Sequence, residues 1–366
     1  MKTNKIVAVL VAFITPLLLL ASAERTVAAA GAKGVDADLA VPRDWLEKAK
    51  TEGKLVLYST DTPQQQAEIL KRFTQRYPFV KVDYLKAPTE VRYQKVLLTA
   101  RQGIPVADIV TGINGGGLKN YLDAQALAEL SDLPAWRTYS EDFKHGAMSI
   151  GFRKRYYGLA YNTNLVSKQD LPRTWGDLLE PKWNGQVAFN SIASSVWLNP
   201  LWHSLGPERA ARLMDGFARN KAQFRTEGAD ASVKLLAAGE YKFAIPVSEY
   251  NAYEVAKVGG PVDWLAVDPL PVVLGNIQIL RKAAHPFAAK LYVNWILSEE
   301  GQEVYAKVTG ANPVHPDLQA KSFNFPDLAQ RVKGKKQVVL RTDMEMGWGA
   351  DHAGVKLWQK VALGGF

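Results

Sequence analysis

The chain has 366 residues, 47 % of them apolar, no cysteine, and 45 basic against 36 acidic side chains for a formal charge of +9. Without cysteine, disulfides, thiolate catalysis, Cys-ligated metals and a lipid-modified N-terminal Cys are excluded. Stability must then come from a sizeable core, which this length and composition can supply in two domains. The basic residues are scattered, with Lys333-Gly-Lys-Lys336 the densest group. That pattern suits a solvated surface with a slight preference for anionic partners, and not a nucleic-acid binder.

Residues 1–23 read as a signal peptide. Lys2 and Lys5 form a basic start, Ile6–Leu20 an apolar centre of 15 residues, and Ala21-Ser-Ala23 a small-residue cleavage site. The apolar centre is short against the roughly 20 residues of a membrane span. Cleavage near Ala23 would deliver a soluble periplasmic protein with a charge of +7.

Residues 24–53 read as a loose leader followed by a helix with Trp45, Leu46 and Ala49, closed by Gly53. Lys54–Thr60 predicts the first strand. Thr62 then reads as an N-cap, with Pro63 in the first turn and Gln65 placed for a capping box. Ile69, Leu70, Phe73 and Tyr77 continue that helix to Pro78. Val80, Val82 and Tyr84 alternate as a second strand; Tyr93, Val96, Leu97 and Ala100 mark a helix closed by Gly103. Ala107–Thr111 predicts a third strand, and Gly112–Gly117 loops into a helix with Leu118, Tyr121 and Leu122. Strands alternating with helices predict a parallel α/β arrangement.

A strand-rich passage spans 150–164. Residues 174–188 predict a short helix, a break and a strand, and Asn190–Ser195 a polar loop before another helix. Between Ala231 and Val255 the pattern is sharper. Val233, Leu236 and Ala237 share a helical face that Gly239 ends, and Phe243–Val247 is a short apolar strand. Pro246 predicts a sheet edge or a strand end there. Ser248, Glu249, Tyr250, Asn251 and Tyr253 follow it, where open α/β sheets place ligands, beyond the carboxyl ends of strands. Val272–Leu280 reads as a strand and Ala288–Leu297 as a helix.

Leu55-Val-Leu-Tyr-Ser59, Arg76-Tyr-Pro78, Ala107-Asp-Ile-Val110, Gly158-Leu-Ala-Tyr-Asn-Thr163, Trp175–Gly185, Ala238-Gly-Glu240, Ser298–Gln302 and Asn312-Pro313 occur in this order over residues 54–316. Together they resemble the periplasmic solute-binding component of an ABC importer, in the ferric-ion-binding branch of the two-lobed class. The resemblance implies a type II periplasmic-binding-protein-like α/β fold, with a central cleft and two hinge crossings. Residues 54–160 and 270–320 would form one lobe and 161–269 the other, with a tail, 321–366, packed on the first lobe. It also implies a monomer that closes on a small-molecule or metal-ion ligand and presents it to an inner-membrane ABC permease.

In such ferric binders a His follows the first strand, a Glu the third, and two adjacent Tyr the central strand of the second lobe. Here those positions fall at Asp61 or Thr62, near Ile113, and at Glu249 and Tyr250. A ferric site would need Glu249 and Tyr250, with Asp61, as a variant oxygen-donor set. Fe3+ would then be the transported ligand; no cofactor is expected. The family's anion-binding half survives better. Arg155 takes the basic position, and Ser191, Ser194 and Ser195 the hydroxyl loop, with Ser59, Thr60, Thr62 and Asn114 at helix starts. A guanidinium grips carboxylate or phosphate in bidentate fashion, and hydroxyls and N–H groups at helix starts add uncharged donors. The expected ligand is therefore a small phosphorylated or carboxylated organic anion.

Gly112–Gly117 is not a P-loop, because Leu118 and Lys119 replace the Gly-Lys-Ser/Thr end. Trp197 and Trp202 read as core, and the three serines double as helix caps. The remote alternative, an exported hydrolase, has neither a Gly-x-Ser-x-Gly elbow nor a His-Glu-x-x-His pair behind it, and its five histidines fall in separate elements.

Overall fold

The computed structural model describes residues 39–88 and 90–362, so the expected signal peptide lies outside the described residues. Helix α1 (Arg43–Glu52) buries Trp45 and Ala49 and stops at Gly53, whose φ of +60° is the left-handed cap that glycine adopts without a steric penalty. Strand β1 (Lys54–Ser59) alternates its burial strictly, with Leu55, Leu57 and Ser59 inward. Helix α2 (Pro63–Arg76) begins with the capping box between Thr62 and Gln65 and buries Ile69 and Phe73. Strand β2 (Lys81–Lys86), helix α3 (Val96–Arg101), strand β3 (Ile109–Thr111) and helix α4 (Gly115–Asp123) complete the first run of βα units.

Strand β4 (Ile150–Asn162) is 13 residues long. At about 3.3 Å per residue it spans roughly 40 Å, enough to traverse the molecule. Beyond it lie β5 (Val187–Phe189), α5 (Asn199–Leu205), α6 (Pro207–Arg219), β6 (Gln223–Phe224), α7 (Ala229–Ala237), β7 (Phe243–Ser248), α8 (Glu249–Ala256) and β8 (Val262–Leu265). The chain returns through β9 (Leu270–Ile279) to α9 (Pro286–Leu297) and α10 (Glu299–Thr309), then α11 (Leu328–Val332), β10 (Gln337–Val339), α12 (Thr342–Gly347) and α13 (Ala353–Ala362).

The strands follow the order β2-β1-β3-β9-β4-β7-β5-β6, with β10 beside β9 and β8 beside β4. The first half of β4 runs antiparallel to β9, and its second half pairs with β7 and β8. One strand thus serves two lobes, and β9 returns alongside it. The first lobe packs Leu55, Leu57, Phe73, Ile277 and Trp295 into one core and Val110, Leu118 and Tyr121 into another under α4. In the second, Trp175, Phe189, Trp197, Phe217 and Phe243 fill one face of the sheet, and Leu236, Tyr241, Val247 and Trp264 the other. Trp197 is core, as its setting in the sequence suggested.

Two expectations are corrected. Pro246 lies neither at a sheet edge nor at a strand end: β7 is an interior strand between β4 and β5. The β4–β7 register shifts between Gly158 and Ala160, where the partner passes from Val247 to Ala244, so the residue without an N–H falls where the ladder is already irregular. The tail expected on the first lobe reaches both lobes: β10 pairs with β9 and Glu345 of α12 meets α4, while α11 and α13 pack on the second. Leu328 and Val332 of α11 enter one second-lobe core. Trp358 of α13 meets Phe189 and Phe224 edge-on at 5.7 and 5.4 Å, and Val361 is buried in the same cluster. The second lobe offers an aromatic surface that the amphipathic α13 covers. No helix among the described residues is long and apolar enough to cross a membrane.

Candidate functional site

The carboxyl ends of β1, β3, β5 and β7 and the middle of β4 converge where the two lobes meet. On β4 the alternation of burial puts Arg153, Arg155 and Tyr157, all half-buried, on one face, with Lys154 and Tyr156 buried on the other. The two guanidinium-bearing positions are two residues apart, roughly 7 Å along the strand.

Arg155 stands with its guanidinium carbon 4.3 Å from the centre of the Tyr250 ring. This is a cation–π contact between the crossing strand and the first turn of α8. It makes no hydrogen bond or ion pair with a described residue. Tyr250 is half-buried and lies over Gly310, where a Cβ would come within 3.0 Å of the ring. Burial pushes its phenol above the usual value, the Glu254 charge adds to the shift, and Arg155 opposes it.

Arg153 donates from Nη2 to Thr60 Oγ1 at 3.0 Å. It faces Gly275 across the β4–β9 ladder, where a Cβ would stand 2.3 Å from its Nε. The Nε is buried and has no hydrogen-bond partner. Sequence reasoning passed over Arg153 as one of three adjacent basic residues; its place on the same face as Arg155, two residues along a strand, was the available signal.

The remaining expected residues divide by what already holds them. Ser191 is exposed, and Ser195 is exposed with its hydroxyl donating to Ile192 O at 3.2 Å. The loop that carries them is shaped by Asn190, fully buried, which donates to Pro246 O at 2.6 Å and accepts from Ile192 N–H at 3.1 Å. Ser194 accepts from Trp348 Nε1 at 3.3 Å.

Several of the expected residues already have partners within the protein. Ser59 is 1 % exposed and donates to Asp61 Oδ2 at 2.8 Å while accepting from Thr111 Oγ1 at 3.1 Å. Asp61 accepts from the Tyr305 hydroxyl on its other oxygen at 2.8 Å. Thr62 is occupied by its capping box. Asn114 donates to Leu274 O at 3.2 Å and accepts from Asn276 Nδ2 at 2.8 Å.

Glu249 is the largest departure. It is fully buried, and its two oxygens accept from Tyr156 N–H at 2.7 Å and Asn312 Nδ2 at 2.6 Å. Burial pushes its carboxyl up to about 7 against the pull of Arg155 and these donors. It ties α8 to the crossing strand and to the segment after α10. Both oxygens of this expected metal ligand are thus engaged within the protein. Among the described residues no group of three or more His, Asp or Glu is arranged to hold a metal ion.

The geometry can hold an anion. Arg155 supplies free donors, Tyr250 an aromatic wall, Arg153 and Thr60 a first-lobe floor, and the Ser191 loop hydroxyls from the second lobe.

The family model for bacterial extracellular solute-binding proteins matches residues 58–303. Among curated relatives, an uncharacterised protein of Haemophilus influenzae is 26 % identical over 281 residues, covering 70 % of this chain and 76 % of that one. The Fe(3+)-binding periplasmic protein of Serratia marcescens is 24 % identical over 240 residues, covering 61 % and 68 %. Of solved structures, iron-bound HitA of Pseudomonas aeruginosa superposes with a TM-score of 0.67 at 21 % identity, over 84 % of this chain and 99 % of the other. Trichodesmium FutA in complex with iron and citrate gives a TM-score of 0.70 at 19 % identity, with the same coverage. At these identities the two structures establish the two-lobed fold.

Proposed function

The chain belongs to the bacterial extracellular solute-binding protein family, and we propose that it is the periplasmic receptor of an ABC importer for a small carboxylated or phosphorylated organic anion. It captures that solute between its lobes and delivers it to an inner-membrane permease. The observation that carries this reading is Arg155, stacked on Tyr250 and without a hydrogen-bond acceptor among the described residues. A partly buried guanidinium gains most when a bidentate oxyanion supplies its acceptors. Contacts to both Arg155 on the crossing strand and the Ser191 loop of the second lobe form fully only when the lobes approach. That difference shifts the population toward the closed state.

Ferric iron is the second reading, favoured by the relatives of S. marcescens and P. aeruginosa, whose names record iron. Tyr250 is the one family ligand type that stays in place, and Glu249 no longer supports it. The Trichodesmium FutA structure is in complex with iron and citrate ligands, so in that protein an organic anion and the metal are bound together. The protein acts by binding, with export directed by residues 1–23 and function as a monomer.

A thermal-shift screen tests the reading. A ligand at 100 times its Kd adds about 2.7 kcal/mol to stability, a rise of several degrees in Tm. Citrate and phosphorylated metabolites without metal should raise Tm, and Arg155→Ala should abolish the rise. A rise with ferric salts alone, accompanied by a visible tyrosinate–iron band, would establish the iron reading instead.

A further inference from the structure

We propose that residues 341–352 form an internal strap, fastened to both lobes at the edge of the cleft, that restrains their opening and screens donor groups there. The strap begins just past β10 at Leu340, whose N–H donates to Val272 O of β9 at 2.8 Å. Its short helix α12 then fastens to the first lobe twice. Glu345 Oε2 accepts from Gly115 N–H at 3.1 Å, at the first turn of α4. Thr342 Oγ1 is 2.5 Å from His145 Nδ1, and His145 Nε2 is 3.1 Å from Asn276 Oδ1, which continues the connection into β9. Asn276 Nδ2 donates to Asn114, so its Oδ1 is the acceptor for His145; His145 Nδ1 then accepts from Thr342.

The second lobe holds the same segment from the opposite side. Buried Asn199 donates from Nδ2 to Met344 O at 3.3 Å. Trp348 donates to Ser194 and packs against Trp202 at 6.0 Å and His352 at 4.3 Å between ring centres. Its indole passes over Gly354, where a Cβ would meet the ring at 2.3 Å.

Two features make this segment a strap, although Trp348 near its far end packs against a second-lobe core. First, it binds groups of both lobes: the amide at the start of α4, which follows β3, and the Ser194 hydroxyl in the segment that follows β5. A contact to both must break on one side when the lobes separate. Second, cavities of about 510 and 500 Å3 flank it, both lined by Asp142, Arg341 and Asp343. The segment is held at few points with space on either side, as a releasable element requires.

Interlobe distance measured in the ligand-free protein tests this without reference to any solute. The chain has no native cysteine, so Asn120→Cys on α4 and Glu208→Cys on α6, both exposed, give two unique spin-label sites on opposite lobes. In the otherwise unaltered chain, pulsed electron paramagnetic resonance should show one narrow distance distribution. Glu345→Ala with Trp348→Ala should add a population at longer distance. Should that pair fail to fold by circular dichroism, Trp348→Phe, which removes the N–H donor and keeps a smaller aromatic ring, should shift the distribution in the same direction. A broad distribution in the unaltered background, or an unchanged narrow one in a folded variant, overturns the strap.

Discussion

Arg155 on β4 and Glu249 at the start of α8 lie side by side in different states. Arg155 stacks on Tyr250 with no acceptor among the described residues, while Glu249, one position before Tyr250, is fully buried with both oxygens engaged. Arg155→Lys should retain the charge and lose the bidentate geometry, weakening anion binding less than Arg155→Ala does; calorimetric titration of both variants would rank them, and equal affinities would remove the guanidinium from recognition. Glu249→Gln places an NH2 group against either Tyr156 N–H or Asn312 Nδ2. It should cost about 1–3 kcal/mol of stability in urea unfolding, whereas a surface carboxylate would show almost none. These roles were only partly legible. Position after a strand pointed to Tyr250 as a candidate, and the family resemblance to Arg155 and the Ser191 loop, but Ser59, Asp61, Asn114 and Glu249 satisfy donors from segments distant in sequence. Nothing local to them announces those partners.

Glu345 makes a pH-dependent contribution at the same scale. Burial pushes its carboxyl up to about 7 from the usual 4.5, with only the Gly115 N–H pulling the other way. Between those values the folded state holds a proton that the unfolded state has released. Stability therefore falls as pH rises from about 4.5 to about 7, by up to about 3 kcal/mol from this group. Glu249 acts in the same window. Glu345→Gln keeps an acceptor for Gly115 and removes the titration, so urea unfolding at pH 5 and pH 7 should differ less in the variant than in the parent protein. An unchanged difference would place the carboxyl in water.

Among the elements, β4 carries the architecture. Its first half belongs to one lobe and its second to the other, and Gly158 marks the transition. A Cβ there would sit 2.3 Å from Leu265 O and 2.7 Å from the Trp264 ring, both on the neighbouring β8. Gly158→Ala should therefore force β8 outward and destabilise the fold by about 1–3 kcal/mol, seen as a lower urea midpoint. Gly275→Ala should act on function instead, because its Cβ displaces Arg153 from Thr60. Most helices and strands were readable from caps and periodicity: the Thr62 capping box, Gly53 and the alternation in β1 are local signals that tertiary packing agrees with. Pro246 misled because propensity knows nothing of the register shift opposite it. The tail was opaque because α11, β10 and α12 are short, and they acquire meaning only against partners distant in sequence: the core around Val247 and Trp264 for α11, β9 for β10, and Gly115, His145 and Asn199 for α12.

For the whole molecule, two lobes with two cores each share one sheet, and the hinge is reinforced by β10 alongside β9 and by the segment running on to α13. Opening and closing must deform β4 and β9 while leaving each core intact. The order of weak motifs over 54–316 carried the family and the two-lobed plan, since that information is distributed and survives substitution. The identity of the solute is concentrated in a few side chains, where this chain departs from the ferric pattern.

The most direct measurement is isothermal calorimetry of the protein and of Arg155→Ala with metal-free citrate and a phosphorylated metabolite, each repeated with ferric ion present. The account predicts saturable binding of at least one metal-free anion to the parent protein and its loss in the variant. Binding only when ferric ion is present, or equal binding by both proteins, would contradict it.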